Sequence, residues 1–247
     1  MDKCRAVQLL VSAEAAVGML SWPIFSLSSF HILKQLRAAG FHPRTIIDVG
    51  ANVGQFSIAA SRMFPDSKIW AFEPVPDSFE ILSKHLGKSP RVHLQQCAIG
   101  AANESMEINI NTHRHSSSLL AIGEAHSVAF PFAREEGKVL VDVKTLDSIK
   151  NQFDFMPPVL LKVDVQGFEA QVIRGAVKVL QHVDMVVIET SFQPMYVGEM
   201  TFLELGNLMA HEGFEFVGPL DWLPHPKTGE VLQMDALFKR RLSPADQ

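Results

Sequence analysis

Thr45-Ile46-Ile47-Asp48-Val49-Gly50-Ala51-Asn52-Val53-Gly54-Gln55-Phe56-Ser57 reads as a buried strand, a tight glycine turn and the start of a helix. Glycines at 50 and 54 let the backbone turn sharply and approach a ligand that a Cβ would obstruct. A second acidic residue closes the next strand, in Ile69-Trp70-Ala71-Phe72-Glu73-Pro74. Glu73 lies 19 residues beyond Gly54, about where an acid reaches the two hydroxyls of a ribose. Strand, turn, helix, strand and acid in this order present a nucleoside across the carboxyl ends of an open α/β sheet.

The spacing narrows the nucleoside. A dinucleotide fingerprint needs a third glycine to close helix onto strand, and here the pattern is Gly50-x-x-x-Gly54 with Asp48 before it. No Lys-Ser/Thr pair of a phosphate-binding loop follows. An acid ahead of the first glycine repels a pyrophosphate and attracts a ligand with a cationic amino-acid tail. S-adenosylmethionine has that tail, a sulfonium and a ribose diol, so the turn favours a methyl donor over NAD.

Outward from the turn, apolar runs alternate with helical patterns, the mark of a parallel sheet with helices on both faces. Strands are expected at 45–49, 68–72, 92–96, 159–165, 185–188, 214–217 and 233–238, with helices at 55–64, 77–86, 169–180 and 201–212. The fold class this implies is α/β: a doubly wound, mostly parallel, seven-stranded Rossmann-like sheet of the class I methyltransferase type. The rhythm changes between residues 105 and 144, where two alternating strands flank a polar, histidine-bearing segment. That insertion reads as a hairpin or flap. Residues 1–44 read as an N-terminal helical extension and 45–247 as the main domain, with 218–230 a polar loop.

Composition excludes several classes. With 247 residues and a net charge of −5, and no Lys/Arg stripe, the chain carries no nucleic-acid footprint. Cys4 and Cys97 are too few for a disulfide framework or a zinc site, which points to a reducing, cytoplasmic compartment. Residues 15–33 lack charged side chains but carry four serines and Pro23. They suit amphipathic helices, packed on the domain or touching a membrane surface, better than a span of about 20 apolar residues.

The second informative segment is Leu160-Leu161-Lys162-Val163-Asp164-Val165-Gln166-Gly167-Phe168-Glu169. Asp164 falls at the carboxyl end of a core strand, the edge where ligands bind in this architecture. Lys162, two residues earlier, shares its face. Glu169 stands at a helix start, where the dipole favours an acid.

With these residues read, the chain resembles the FkbM-type S-adenosylmethionine-dependent methyltransferases. The resemblance rests on Ile47-Asp48-Val49-Gly50-Ala51-Asn52-Val53-Gly54, Phe72-Glu73-Pro74, Ala98-Ile99-Gly100, Ser116-Ser117-Ser118-Leu119, Thr145-Leu146-Asp147 and the segment from Leu161 to Glu169. It implies O-methylation of a hydroxyl on a sugar or other small-molecule acceptor. Carried onto this chain, Asp48, Gly50, Asn52, Gly54, Gln55 and Phe56 hold the methionine portion, and Glu73 with Pro74 the ribose. Cys97 and Ala98 flank the adenine, with Asp164 beside the donor. The family often has Glu where this chain has Gln166, so no acid role is carried onto that position.

Methyl transfer to an alcohol needs an acceptor for the hydroxyl proton. Asp164 is the first candidate base and Glu189, in Val187-Ile188-Glu189-Thr190, the second. As a pair they could instead hold a divalent cation such as magnesium, which would lower the hydroxyl pKa. His115, in the flap, is a candidate acceptor contact. Asp147 follows a strand and is expected to cap or position a helix. The competing reading is a non-catalytic binding protein that keeps the fold.

Overall fold

The computed structural model describes residues 13–111, 117–132 and 135–241. Its strands are β1 (Thr45–Val49), β2 (Lys68–Phe72), β3 (Val92–Gln95), β4 (Ala98–Ile99) and β5 (Glu104–Asn111), followed by β6 (Glu135–Lys144), β7 (Val159–Val163), β8 (Met185–Ser191), β9 (Phe214–Pro224) and β10 (Val231–Arg240). Its helices are α1 (Ala13–Ser21), α2 (Leu27–Ala38), α3 (Gln55–Met63), α4 (Pro76–Leu86), α5 (Glu124–Ala129), α6 (Glu169–Arg174), α7 (Val177–Leu180) and α8 (Phe202–His211).

Seven strands form the main sheet in the order β3-β2-β1-β7-β8-β10-β9. The first five are mutually parallel, and β10 runs antiparallel to both β8 and β9. This is the doubly wound methyltransferase arrangement expected from the sequence. Its middle strands β1 and β7 are buried at every residue, as a strand covered on both faces must be.

Strand alternation divides the core. One face carries Ile47, Val49, Leu161, Val163, Val186 and Ile188 against α6, α7 and α8. The other carries Ile46, Leu160, Val187 and Leu237 against Ile32, Leu33 and Leu36 of α2 and the apolar sides of α3 and α4. Two residues along from these lie Asp48, Lys162, Glu189 and Asp235, which therefore share the second face. The four gather polar chemistry beneath α2.

A bulge extends this row. Asp235 pairs with Asp221, but Ala236 pairs with Pro219, leaving Leu220 as an extra residue on β9. Bulges re-aim side chains, and here the consequence is contact with α2. Ser28 donates to Asp221 Oδ2 at 2.7 Å, and Gln35 Nε2 donates to the Leu220 carbonyl at 2.7 Å. The helix is itself capped by Ser26, whose hydroxyl accepts from the Ser29 N–H.

The structure departs from the sequence reading in definite places. β9 continues to Pro224 where a loop from 218 was expected, because pairing with β10 satisfies a backbone whose glycine and prolines suggest a turn. The helix expected over 169–180 breaks at Gly175 into α6 and α7. A Cβ on Gly175 would lie 1.9 Å from the Gly100 carbonyl oxygen, so the chain there is pressed against the second sheet's entry loop. That second sheet has the order β4-β6-β5, and the insertion around it also contains α5. Asp147 does position a helix: its carboxylate accepts the Lys178 and Val179 N–H groups at the start of α7. No helix among the described residues is long and apolar enough to cross a membrane.

Candidate active site

The turn between β1 and α3 is built by backbone demands. Gly50 has φ +82° and Gly54 φ +99°, in the left-handed region where a Cβ is penalised. Gly50 and Ala51 both donate their N–H to the Phe72 carbonyl, tying the turn to the end of β2. Glu73, just beyond, completes the fastening. Its Oε2 accepts the Asn52 N–H at 2.8 Å and its Oε1 the Val75 N–H at 2.8 Å. Burial pushes its carboxyl up to about 7, partly offset by those two N–H donors.

Asp48 lies under the turn. It is 1% exposed, takes the Ser57 hydroxyl on Oδ2 at 2.6 Å, and keeps Oδ1 buried without a hydrogen-bond partner. Desolvation raises it to about 6 against the attraction of Lys162.

Above the carboxyl edge of the sheet opens a cavity of about 260 Å³. Of the residues singled out in the sequence, Gly50, Asn52, Gln55, Phe56, Glu73, Pro74, Cys97, Ala98, Asp164 and Glu189 line it. Asp48 and Gly54 are not part of its wall. His115 lies outside the described residues. Cys97 is buried in an apolar setting that raises its thiol to about 11, so it is an inert wall residue.

The floor of the cavity is a hydrogen-bonded cluster centred on Gln166. Its Nε2 donates to Asp164 Oδ1 at 2.9 Å and to Glu189 Oε2 at 2.7 Å. Its Oε1 accepts the Tyr196 hydroxyl at 2.8 Å, which fixes which end of the amide faces the acids. Gln166 holds φ +57°, followed by Gly167 at +96°. Glu169 stabilises that strained loop by accepting the Val165 and Gly167 N–H groups. It is therefore a turn fastener, and burial lifts its carboxyl to about 8.

Lys162 supplies the buried cation. Its Nζ lies 2.7 Å from Asp164 Oδ2. Burial alone would lower its pKa, but the carboxylates of Asp164, Asp235 and Asp48 more than offset this and hold it protonated. Burial, with Asp164 and Glu169 nearby, pushes Glu189 well above the usual carboxylate range. Asp235 rises to about 7, again chiefly through desolvation.

The alternative of a cation site between Asp164 and Glu189 does not take shape among the described residues. The space is taken by the Gln166 amide, and among the described residues no group of three or more His, Cys, Asp or Glu side chains is disposed to hold a metal ion.

Sequence reasoning missed Asp235, Asp221, Tyr196 and the serines of α2. Asp235 had a signal of its own: it is the acid inside Leu232-Gln233-Met234-Asp235-Ala236-Leu237-Phe238.

The Methyltransferase FkbM domain model matches residues 48–216, from the aspartate under the turn to the start of β9. The chain belongs to the FkbM methyltransferase family. It is 30% identical over 196 residues to "Methyltransferase 1" of Beauveria bassiana, covering 72% of this chain and 76% of that protein. The hexuronic acid methyltransferase AglP of Haloferax volcanii is 28% identical over 142 residues, 58% of this chain and 54% of its own length. The 2-O-methyltransferase NoeI of Sinorhizobium fredii is 24% identical over 193 residues, covering 76% and 77%. The protein is thus a methyltransferase dependent on S-adenosylmethionine, and both motifs that fasten the cavity fall within the matched residues. Helix α2, which also lines it, does not.

Proposed function

We propose that the protein transfers a methyl group from S-adenosylmethionine to a hydroxyl of a small, sugar-like acceptor. The observation that carries this reading is the pair Asp164 and Glu189, bridged by Gln166, facing the same cavity as the glycine turn. A hydroxyl must lose its proton as it is methylated, and a carboxylate within hydrogen-bond reach can take it. The names of the relatives support the acceptor class: one acts on a hexuronic acid and another at a 2-O position.

The residues fit the donor. Glu73 has its carboxylate held by two N–H groups and keeps lone pairs for a ribose diol. Phe72, Cys97, Ala98 and Ile99 offer an apolar wall for adenine. Asp48, with an unpartnered buried oxygen, contributes negative charge beneath the turn that suits a cationic tail. When bound, S-adenosylmethionine supplies a methyl group on a sulfonium sulfur.

The chain's own residues do the rest. Asp164 accepts the acceptor's hydroxyl proton, and Glu189 is the alternative base. Lys162 stabilises the Asp164 carboxylate by charge at 2.7 Å. Gln166, locked by Tyr196, orients both acids. Alignment of the reacting groups can contribute about 7–11 kcal/mol.

The test is incubation of the purified protein with S-adenosylmethionine and a panel of free and glycosidic sugars. Release of S-adenosylhomocysteine together with a sugar methyl ether supports the reading. Methylation confined to nitrogen or carbon acceptors refutes it.

A further inference from the structure

Three strands bring acids side by side at the acceptor end of the cavity. Glu189 on β8 is the cross-strand partner of Asp235 on β10, and Asp235 is the partner of Asp221 on β9. Asp221 is spoken for by Ser28 and the Trp222 N–H. Asp235 differs: it lines the cavity half-buried, attracted by the charge of Lys162 but accepting no hydrogen bond from any described residue. Among the described residues of the cavity wall, Lys162 is the single Lys or Arg, and it is paired with Asp164. Hydroxyls also line the cavity, from Ser26, which caps α2, and from Ser28 and Ser29 within it.

We infer that this pocket admits uncharged or amine-bearing polyhydroxyl acceptors, turns away carboxylate- and phosphate-bearing ones, and uses Asp235 to make that choice. The inference rests on the proposed sugar methylation and specifies its substrate class. A half-buried carboxylate that accepts no hydrogen bond keeps its lone pairs for a donor, and acceptor hydroxyls or an ammonium are donors. A carboxylate or phosphate has none to give, and it would face Asp235, once ionised, with like charge in a setting of weak screening. The serine wall can bond to a polyol but carries no charge to offset an anion. In this respect the pocket is set apart from what the hexuronic acid relative's name describes.

The experiment compares three glycosides of one parent sugar, neutral, amino and uronide, with wild-type protein and Asp235→Asn. Calorimetric titration with S-adenosylhomocysteine verifies the donor site in each protein. The expected wild-type result is transfer to the neutral and amino sugars, with kcat/KM for the uronide lower by roughly tenfold or more. Asp235→Asn is expected to narrow that gap by raising the uronide while donor binding stays unchanged. A uronide used as well as the neutral sugar overturns the charge rule, and this wild-type ranking decides it independently of the variant. An unchanged gap in Asp235→Asn overturns the assignment to Asp235. No transfer to any of the three, with S-adenosylhomocysteine bound, instead overturns the sugar reading on which the inference stands.

Discussion

Gly50 sits so close beneath Asp164 that a Cβ on the glycine would fall 1.9 Å from the aspartate's carbonyl oxygen. The two motifs singled out in the sequence are thus one object, pressed together where β1 and β7 end side by side. Asp164 N–H also donates to the Val49 carbonyl, closing the contact from the other side.

Gly50→Ala is therefore expected to damage both motifs at once. It adds the clash to an unfavourable φ of +82°, and the backbone term alone costs about 1–3 kcal/mol. Thermal unfolding should show a lowered Tm, and calorimetry should show lost S-adenosylhomocysteine binding. A variant that binds normally would mean the turn is not the donor cradle.

Glu73→Ala leaves the Asn52 and Val75 N–H groups without their carboxylate. Each such loss costs about 1–3 kcal/mol when the group stays buried. Donor binding should disappear while circular dichroism still reports a folded sheet. Retained micromolar binding would remove Glu73 from the ribose role.

Asp164→Asn should keep donor binding and lose turnover by about 10²–10⁴-fold, the usual contribution of a general base. Glu189→Gln separates the two candidates. If Glu189 is the base, the larger loss falls on that variant, and single-turnover kinetics with saturating donor will rank them.

Gln166→Glu would set a third carboxyl group between Asp164 and Glu189. The amide hydrogens that now reconcile these acids would be gone, and repulsion should suppress activity at neutral pH. Such a trio also has the oxygen chemistry preferred by calcium or magnesium. Calorimetry should detect cation binding in the variant; none at millimolar cation would show that the geometry cannot be converted.

Burial of Glu169 makes the stability of the protein pH-dependent in a definite direction. Its folded pKa, about 8, exceeds the ordinary glutamate value of 4.5. Between these values the unfolded chain holds fewer protons than the folded one, so this group's contribution to stability falls as pH rises. Glu169→Gln retains an oxygen to accept the Val165 and Gly167 N–H groups and removes the titration. At pH 9 it should exceed wild type by at least ~1 kcal/mol, or roughly 2–4 °C in Tm. Equal melting curves from pH 6 to 9 would argue against a buried acid there.

Much of this site was legible in the chain because its donor half is local. β1 and β2 fall at the residues expected, since each is a short apolar run ending in glycine or in Glu73-Pro74. The acceptor half was legible only at Asp164 and Glu189, for a physical reason. Asp235 and Asp221 meet only through antiparallel pairing with a bulge, which has no periodic trace in sequence. Ser28 joins them only once α2 has docked. Gln166 read as a departure from its family, whereas its two N–H donors are what allow two carboxylates to stand so near.

Helix α2 is joined to β9 by Ser28–Asp221 and by Gln35 to the Leu220 carbonyl. The two elements thus lie far apart along the chain, while the glycine turn and Glu73 of the proposed donor cradle lie close together in it. Replacing α2 and the β9–β10 hairpin together, as a matched pair from another family member, is expected to alter the proposed acceptor choice while keeping the Ser28–Asp221 bond in register. Exchanging either one singly would break the bonds that hold the pair in register.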